Sequence, residues 1–508
     1  MRRVASIVCA LVVLAACGGS TTSSTANNSG TPKKGGTLTV ALESELRVLD
    51  PAESSLLVER EMYYNVYDAL FTIDPSLKIL PGLVTKWDTS DPKNLVFTLR
   101  QNVKFHDGTV FDASVVKFNL ERGKKLPTSK RKSDLASVDT VEVKDPQTVI
   151  LHLKKPDATL LSTLVDRAGM MVSPTAVQKL GKDFDVNPMG AGTGPFQFVE
   201  WKRNDHLTLT RNNAYWKSGV PYLDGVTFRA IPDVNAILSA LKSGDIDVAR
   251  VIAAKDVAGV KADSNFIYRN IPAIGFNGFE LNSAAPPFSD PAKRRAVATA
   301  LDRTSILKNI QFNIGVVGYG PIPPASWAYD PSLMPYSAKG EPDKAKALAT
   351  GFSFTYKTTS DPINQQLAQL MQGQLAKAGI TMNVQTEEFA ALVQECQTPP
   401  HNFQACGTNW SGRIDPDGNM YAWFHTGGDT NDGQYSNSAV DGFLDDARVS
   451  PDTAKRKSDY QQAQKQIAAD APYVFLSFGV SPQISSNKVH NFTLYPDGMI
   501  RLMEVWKG

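Results

Sequence analysis

The sequence predicts a mixed α/β protein built on several sheets, and three observations carry that expectation. The first is size and balance: 508 residues, 42% hydrophobic, 20% charged and 9% aromatic. A chain this long suggests about three folding units, and its composition sets aside collagen-like, coiled-coil and wholly disordered readings. The second is strand-like alternation in residues 37–41 (TLTVA), 95–100 (LVFTLR) and 148–153 (TVILHL). The third is residues 352–384, which read strand, helix, strand. That βαβ unit puts a parallel sheet in at least one lobe.

Along the chain, Arg2 and Arg3 precede an apolar run over residues 7–16. This is the pattern of an export signal, too short to span a bilayer, which takes about 20 apolar residues. It ends Leu14-Ala15-Ala16-Cys17, which resembles a bacterial lipobox, with residues 1–16 as signal peptide and Cys17 as the lipidated mature N-terminus. A plain secretory signal is the other reading. Residues 17–34 then form a polar tether with a reach of about 23 Å if coiled. Further on, Ser289-Asp290-Pro291 opens a helix with a cap and a first-turn proline. Residues 362–378 carry Leu367, Leu370, Met371 and Leu375 on one helical face. Residues 380–384 are the next strand. Residues 451–470 form a long polar helix, and residues 473–478 a strongly apolar strand.

Basic residues number 53 and acidic residues 51, so no strong field favours nucleic acid. Loss of Arg2 and Arg3 with the signal would leave the two in balance. Cys396 and Cys406 remain after processing. In an exported chain they pair most simply as a disulfide, with two buried thiols as the alternative. Catalytic patterns fail: no HExxH, no GxSxG and no GxxxxGK[ST] occurs. Asp415, Asp417 and Asn419 begin like a calcium loop, but Met420 stands where glycine is required. No cofactor and no metal is expected.

A series of phrases spans residues 35–506: Phe97-Thr98-Leu99-Arg100 with Val103 to Thr109 (VKFHDGT), Gly192-Thr193-Gly194-Pro195-Phe196 to Trp201, and Leu241 to Ala249 (LKSGDIDVA). Then follow Pro286-Pro287-Phe288 with Arg294-Arg295-Ala296-Val297 to Asp302-Arg303, and Tyr435-Ser436-Asn437 with Val440-Asp441 to Arg448. Together they resemble the extracellular solute-binding proteins, family 5, of peptide- and nickel-type ABC importers. Locally the phrases read as fold-shaping: a turn at His106-Asp107-Gly108, a helix stop at Gly244 and a solvated or capping carboxylate at Asp441.

The resemblance implies a periplasmic-binding-protein-like fold of two lobes joined by a hinge. Domain I would comprise residues 35–53, 193–275 and 482–508, domain II 54–192 and domain III 283–481, with hinge crossings at 276–282 and 478–482. It implies a monomeric, non-enzymatic subunit that carries a short peptide or other small solute to membrane permease subunits. It also places ligand contacts after Leu49-Asp50-Pro51, at Ser54, Ser55 and Leu56, at Asn277, and at Asn409, Trp410 and Ser411. Peptide-binding members resemble one another in an aspartate three residues beyond that tryptophan, where this sequence has Arg413. A guanidinium suits a carboxylate or phosphate and not an ammonium, so the cargo is expected to be anionic. Asp415 is the candidate for the displaced acidic role, and an Arg413 pairing with Asp415 or Asp417 is the competing expectation. A metallophore receptor, for which His401 and His425 lie nearest in sequence, a secreted hydrolase and a membrane sensor are the alternative functions.

Overall fold

Strict alternation in strand Thr37–Leu42 sends Leu38, Val40 and Leu42 to one face and Ala41 to the other. Both faces are buried, so the strand must sit inside a covered sheet. The computed structural model, which describes residues 30–508, shows that sheet. The signal segment, Cys17 and the tether up to residue 29 lie outside the described residues. The sheet has seven strands in the order Phe266–Pro272, Val480–Ser486, Val248–Ala249, Thr37–Leu42, Gly225–Ala230, His206–Arg211, Phe196–Lys202. Thr37–Leu42 runs parallel to both its neighbours. Helix Leu57–Val66 contributes Met62, Tyr63 and Val66 to the core on one face, and helix Val234–Ser243 contributes Ile237 and Leu241 on the other.

A four-stranded antiparallel sheet of Val84–Asp88, Asn94–Leu99, Thr148–Leu153 and Val138–Asp145 forms a second unit. Helix Ala113–Lys125 packs Val116 and Leu120 into its core. Asp112 starts that helix by accepting from the amides of Ser114 and Val115. The HDGT turn is as expected: Phe105 N donates to Thr109 O, with Gly108 at φ +88°.

The third unit is a six-stranded sheet ordered Val316–Val317, Tyr473–Phe478, Phe276–Leu281, Ala405–Trp410, Ser353–Thr359, Thr381–Glu387. Its parallel part is the expected βαβ unit, with helix Pro362–Lys377 connecting Ser353–Thr359 to Thr381–Glu387. Asp361 caps this helix through the amides of Ile363 and Asn364, and proline occupies the first turn. Helix Pro291–Ala300 begins the same way after Asp290. The long polar helix runs Thr453–Asp470, and every residue of Tyr473–Phe478 is buried. Cys396 and Cys406 are joined by a disulfide, Cα–Cα 6.4 Å.

Phe276–Leu281 belongs wholly to the six-stranded sheet, so the first passage between the large sheets falls at residues 273–275 and not at 276–282. The second falls at Gly479. The two passages touch, with Ala273 N donating to Gly479 O at 3.1 Å. Gly275 has no room for a side chain there, since a Cβ would lie 1.9 Å from Trp410 O. No helix of the described residues is long and apolar enough to cross a membrane.

Candidate functional site

Strand Ala405–Trp410 ends at the interlobe junction, as ligand-binding strands of open α/β sheets do. Beyond it the chain turns at Gly412, whose φ of +86° favours glycine; a Cβ would meet Ile274 O at 2.2 Å. That turn presents Arg413 to a cavity of about 680 Å³ between the second and third units. The cavity is lined by eight cationic side chains against six carboxylates. Four of the cations, Arg60, Arg131, Arg167 and Arg413, cluster at the arginine end around two of the lining carboxylates, Asp134 and Asp166.

Each of these groups is set by a neighbour. Asp166 caps the short 3-10 turn Arg167–Gly169 through the Arg167 amide at 2.8 Å. The same carboxylate takes a two-point contact from Arg60, Nε to Oδ1 at 3.2 Å and Nη2 to Oδ2 at 2.7 Å. Burial raises the Asp166 pKa, but Arg60, Arg167 and Arg413 outweigh it and hold the carboxyl well below its ordinary value. Arg167 Nη1 donates to the Ser54 carbonyl and hydroxyl oxygens, both at 3.2 Å. Arg131 reaches the same carbonyl with Nη2 at 3.0 Å and Asp134 with Nη1 at 2.6 Å.

Arg413 differs from the other three. Its amide donates to Asn419 Oδ1, its Nη1 donates to Gly412 O at 2.9 Å, and its guanidinium lies 4.3 Å from the Trp410 ring centroid. Among the described residues no carboxylate lies within salt-bridge distance of it. Asp415 is paired with Arg456 at 2.7 Å and Asp417 with Arg448 at 2.6 Å. The expected alternative pairing of Arg413 with Asp415 or Asp417 therefore does not form, and Asp415 is not free for the acidic role. Burial, then the like charges of Arg167 and Arg60, push the Arg413 pKa down to about 9.

Of the expected contacts, Trp410, Arg413 and Asp415 line the cavity. Ser54 is fully buried behind it, with its hydroxyl donating to Glu59 Oε2 at 2.6 Å and its carbonyl occupied by two arginines. It positions the arginines rather than facing solvent. Ser55 is exposed, and the Leu56 amide is taken by Glu59. Asn277 donates to Ser477 Oγ and Asn409 accepts from the Gly278 amide, while Ser411 is exposed; none of the three lines the cavity. His401 contacts Cys396 O and His425 stacks on Tyr421, and neither lines the cavity. The sequence reading missed Arg60, Arg131 and Arg167. A signal for Arg167 was present: adjacent charges, Asp166-Arg167, interrupt an otherwise apolar run from Leu164 to Met171.

The lobes meet across this cavity. Ala158 N donates to Arg448 O at 2.9 Å, and Ile414 packs against the core of the second unit. Two covered sheets joined by two adjacent passages, with a polar cavity between the lobes, define a two-lobed binding protein for small solutes. The chain belongs to the bacterial extracellular solute-binding proteins, family 5, whose middle region matches residues 78–431. The glutathione-binding protein GsiB of Pectobacterium atrosepticum is 28% identical over 477 residues, covering 90% of this chain and 91% of that one. The periplasmic binding protein DppA of Helicobacter pylori, solved with the peptide STSA, superposes with TM-score 0.83 at 25% identity over 94% of this chain and 98% of that one. The oligopeptide-binding protein AppA of Bacillus subtilis, solved with a nonapeptide, gives 0.82 at 27% identity over 94% and 100%. The protein is an extracytoplasmic transport-binding protein and not an enzyme.

Proposed function

We propose that the chain is the substrate-binding subunit of an ABC importer, anchored by lipid on Cys17, and that it carries a short peptide or other small polar anionic solute to its permease. The observation that carries the anionic reading is Arg413: it lines the cavity, has no carboxylate partner among the described residues and faces Arg167 and Arg60. The likeness to a glutathione-binding protein, whose ligand is a net anionic tripeptide, is consistent with it. The three-domain division and a hinge at 273–275 and 479 belong to the same reading. Main-chain pairing with an extended ligand would centre on Trp410, which lines the cavity at the end of a strand whose ladder to Ser353–Thr359 is registered only at Ala405 and Cys406, with Asn409 and Ser411 flanking it outside the lining. Ser55, beside the positioned arginines, is the exposed contact on the other lobe.

Calorimetry with the co-purified ligand, identified by native mass spectrometry, tests this. A hydrogen bond to a charged group contributes about 1.5–3 kcal/mol. Arg413→Ala is thus expected to weaken binding about ten- to a hundredfold. Arg413→Lys should recover part of the loss, since lysine lacks the planar fork. Equal affinities in all three proteins would remove Arg413 from the site and point to a neutral or cationic solute.

A further inference from the structure

We infer that the arginine end of the cavity takes a compact dianionic headgroup, a phosphate or phosphonate monoester, in preference to a single carboxylate. This rests on the anionic reading above and narrows it.

The inference starts from local charge. Four guanidiniums, Arg60, Arg131, Arg167 and Arg413, face two carboxylates, Asp134 and Asp166. Asp166 is committed to Arg60 by its two-point contact, and Asp134 to Arg131. Arg167 approaches Asp166 only at 3.8 Å, through Nε. Two guanidiniums, Arg167 and Arg413, are left without a close ion pair, so the end carries a surplus of two positive charges.

These two charges are close together rather than spread along the cleft. Arg167 and Arg413 line the same cavity, Arg167 Nε lies 3.8 Å from Asp166 and Arg60 holds that carboxylate at 2.7 Å, and the electrostatics agree: Arg60, Arg167 and Arg413 all lower the Asp166 pKa, and Arg167 lowers that of Arg413. Two separate carboxylates of an extended ligand would need separate poles; a single group carrying both charges matches one pole.

The donors for such a group are present. Arg167 Nη2, and Nε and Nη2 of Arg413, carry no hydrogen bond to other described residues. None of them is among the buried polar atoms left unpartnered, so they are open to the cavity. Arg167 is 4% exposed, and its Nη1 is fixed by two bonds to Ser54. The fork is therefore held in place before any ligand arrives. A phosphate monoester carries about −1.5 to −2 at pH 7 and three acceptor oxygens, and guanidinium forks bind such oxygens in pairs. A monocarboxylate would leave one of the two guanidiniums desolvated and uncompensated.

On the Arg413 side Asp415 and Asp417 are bound to Arg456 and Arg448, which leaves Asp429 as the lining carboxylate of that side without an ion pair among the described residues. A headgroup held by the arginines supplies an anchor of its own, so the rest of the ligand need not be a peptide with a free N-terminus.

The experiment compares O-phosphoserine with serine O-sulfate, which has nearly the same shape but one charge fewer, by calorimetry on the full mature chain in phosphate-free buffer. Glutathione is the third probe. Wild type should bind O-phosphoserine at least about tenfold more tightly than serine O-sulfate, the scale of one extra charged hydrogen bond. In Arg413→Gln this ratio should collapse towards one, with thermal unfolding showing that the variant is folded. Equal or reversed affinities for the two serine esters in wild type overturn the dianion proposal. If glutathione still binds in an Arg413-dependent way, the anionic reading survives that result. If no anion responds to Arg413→Gln, both fail.

Discussion

Single residues in this fold show how burial decides what a charged group does. Arg413 and Glu280 are both desolvated, yet only the first faces a cavity. Glu280 lies in strand Phe276–Leu281, 4% exposed, with neither carboxylate oxygen in a well-formed hydrogen bond among the described residues, although the Gly433 amide lies close. Burial, and then the neighbouring Asp432, push its pKa well above the ordinary value. The folded chain therefore holds a proton there that the unfolded chain releases near pH 4.3. Stability linked to Glu280 is complete below that pH and is lost as pH rises towards the folded value. Each unit of difference is worth about 1.4 kcal/mol. Glu280→Gln, which keeps the shape and removes the titration, is expected to gain stability over wild type progressively from pH 5 to pH 8. Urea midpoints at the two pH values check this; a constant offset between the proteins would show that Glu280 does not titrate in that window.

At the scale of elements, local chemistry was legible and long-range convergence was not. Asp290 announced a helix start because a capping oxygen and a first-turn proline act within a few residues, and the structure repeats that chemistry with Asp361 before Pro362. Gly244 announced a helix end because its φ of +82° suits glycine. The βαβ unit was legible because its alternation and helical face are both periodic. The expected helix start at 451 was two residues early, since Asp452 is the cap and not part of the helix. The arginine pole was mostly illegible: Arg60 and Asp166 meet across 106 positions, and nothing local marks them as partners. Ser54 was expected to pair with ligand because the turn before it matched, but its carbonyl is claimed by arginines from two other segments. The disulfide belongs to this scale as well. It ties the end of helix Phe389–Gln397 to strand Ala405–Trp410, and both cysteines are buried in a small cluster with Leu392 and Phe403. Closing this short loop stabilises by about 3 kcal/mol in the chain-entropy account. The Cys396→Ser, Cys406→Ser double variant should lose about that much in urea unfolding, and the denatured mature wild type should show no free thiol at either position.

For the whole molecule, two properties follow from how the parts are joined. Anchoring is the first: if Cys17 ends a lipobox, Cys17→Ala should shift the protein from the detergent phase to the aqueous phase or leave it unprocessed, and unchanged partitioning would count against the anchor. Closure is the second. In the closed arrangement Ala158 meets Arg448 and Ile414 reaches the opposite core, so apolar and main-chain contacts favour closing. Closing also brings Arg413 of one lobe towards Arg60 and Arg167 of the other, and these like charges lower its pKa more than Asp166 raises it. Repulsion across the empty cleft therefore opposes closing, and an anionic ligand converts it into attraction on both walls. Such a ligand binds the closed state better than the open one, which is what shifts the population. The repulsion acts over about 10 Å at 0.1 M salt and is screened within about 3 Å at 1 M. Ligand-free wild type is expected to be more open at low salt, with a radius of gyration in small-angle scattering that falls as salt is raised. Ligand-free Arg413→Gln should be more compact at low salt and respond less to added salt. If the two proteins give the same radius at every ionic strength, the arginines do not hold the cleft open, and ligand-driven closure must come from contacts elsewhere in the cavity.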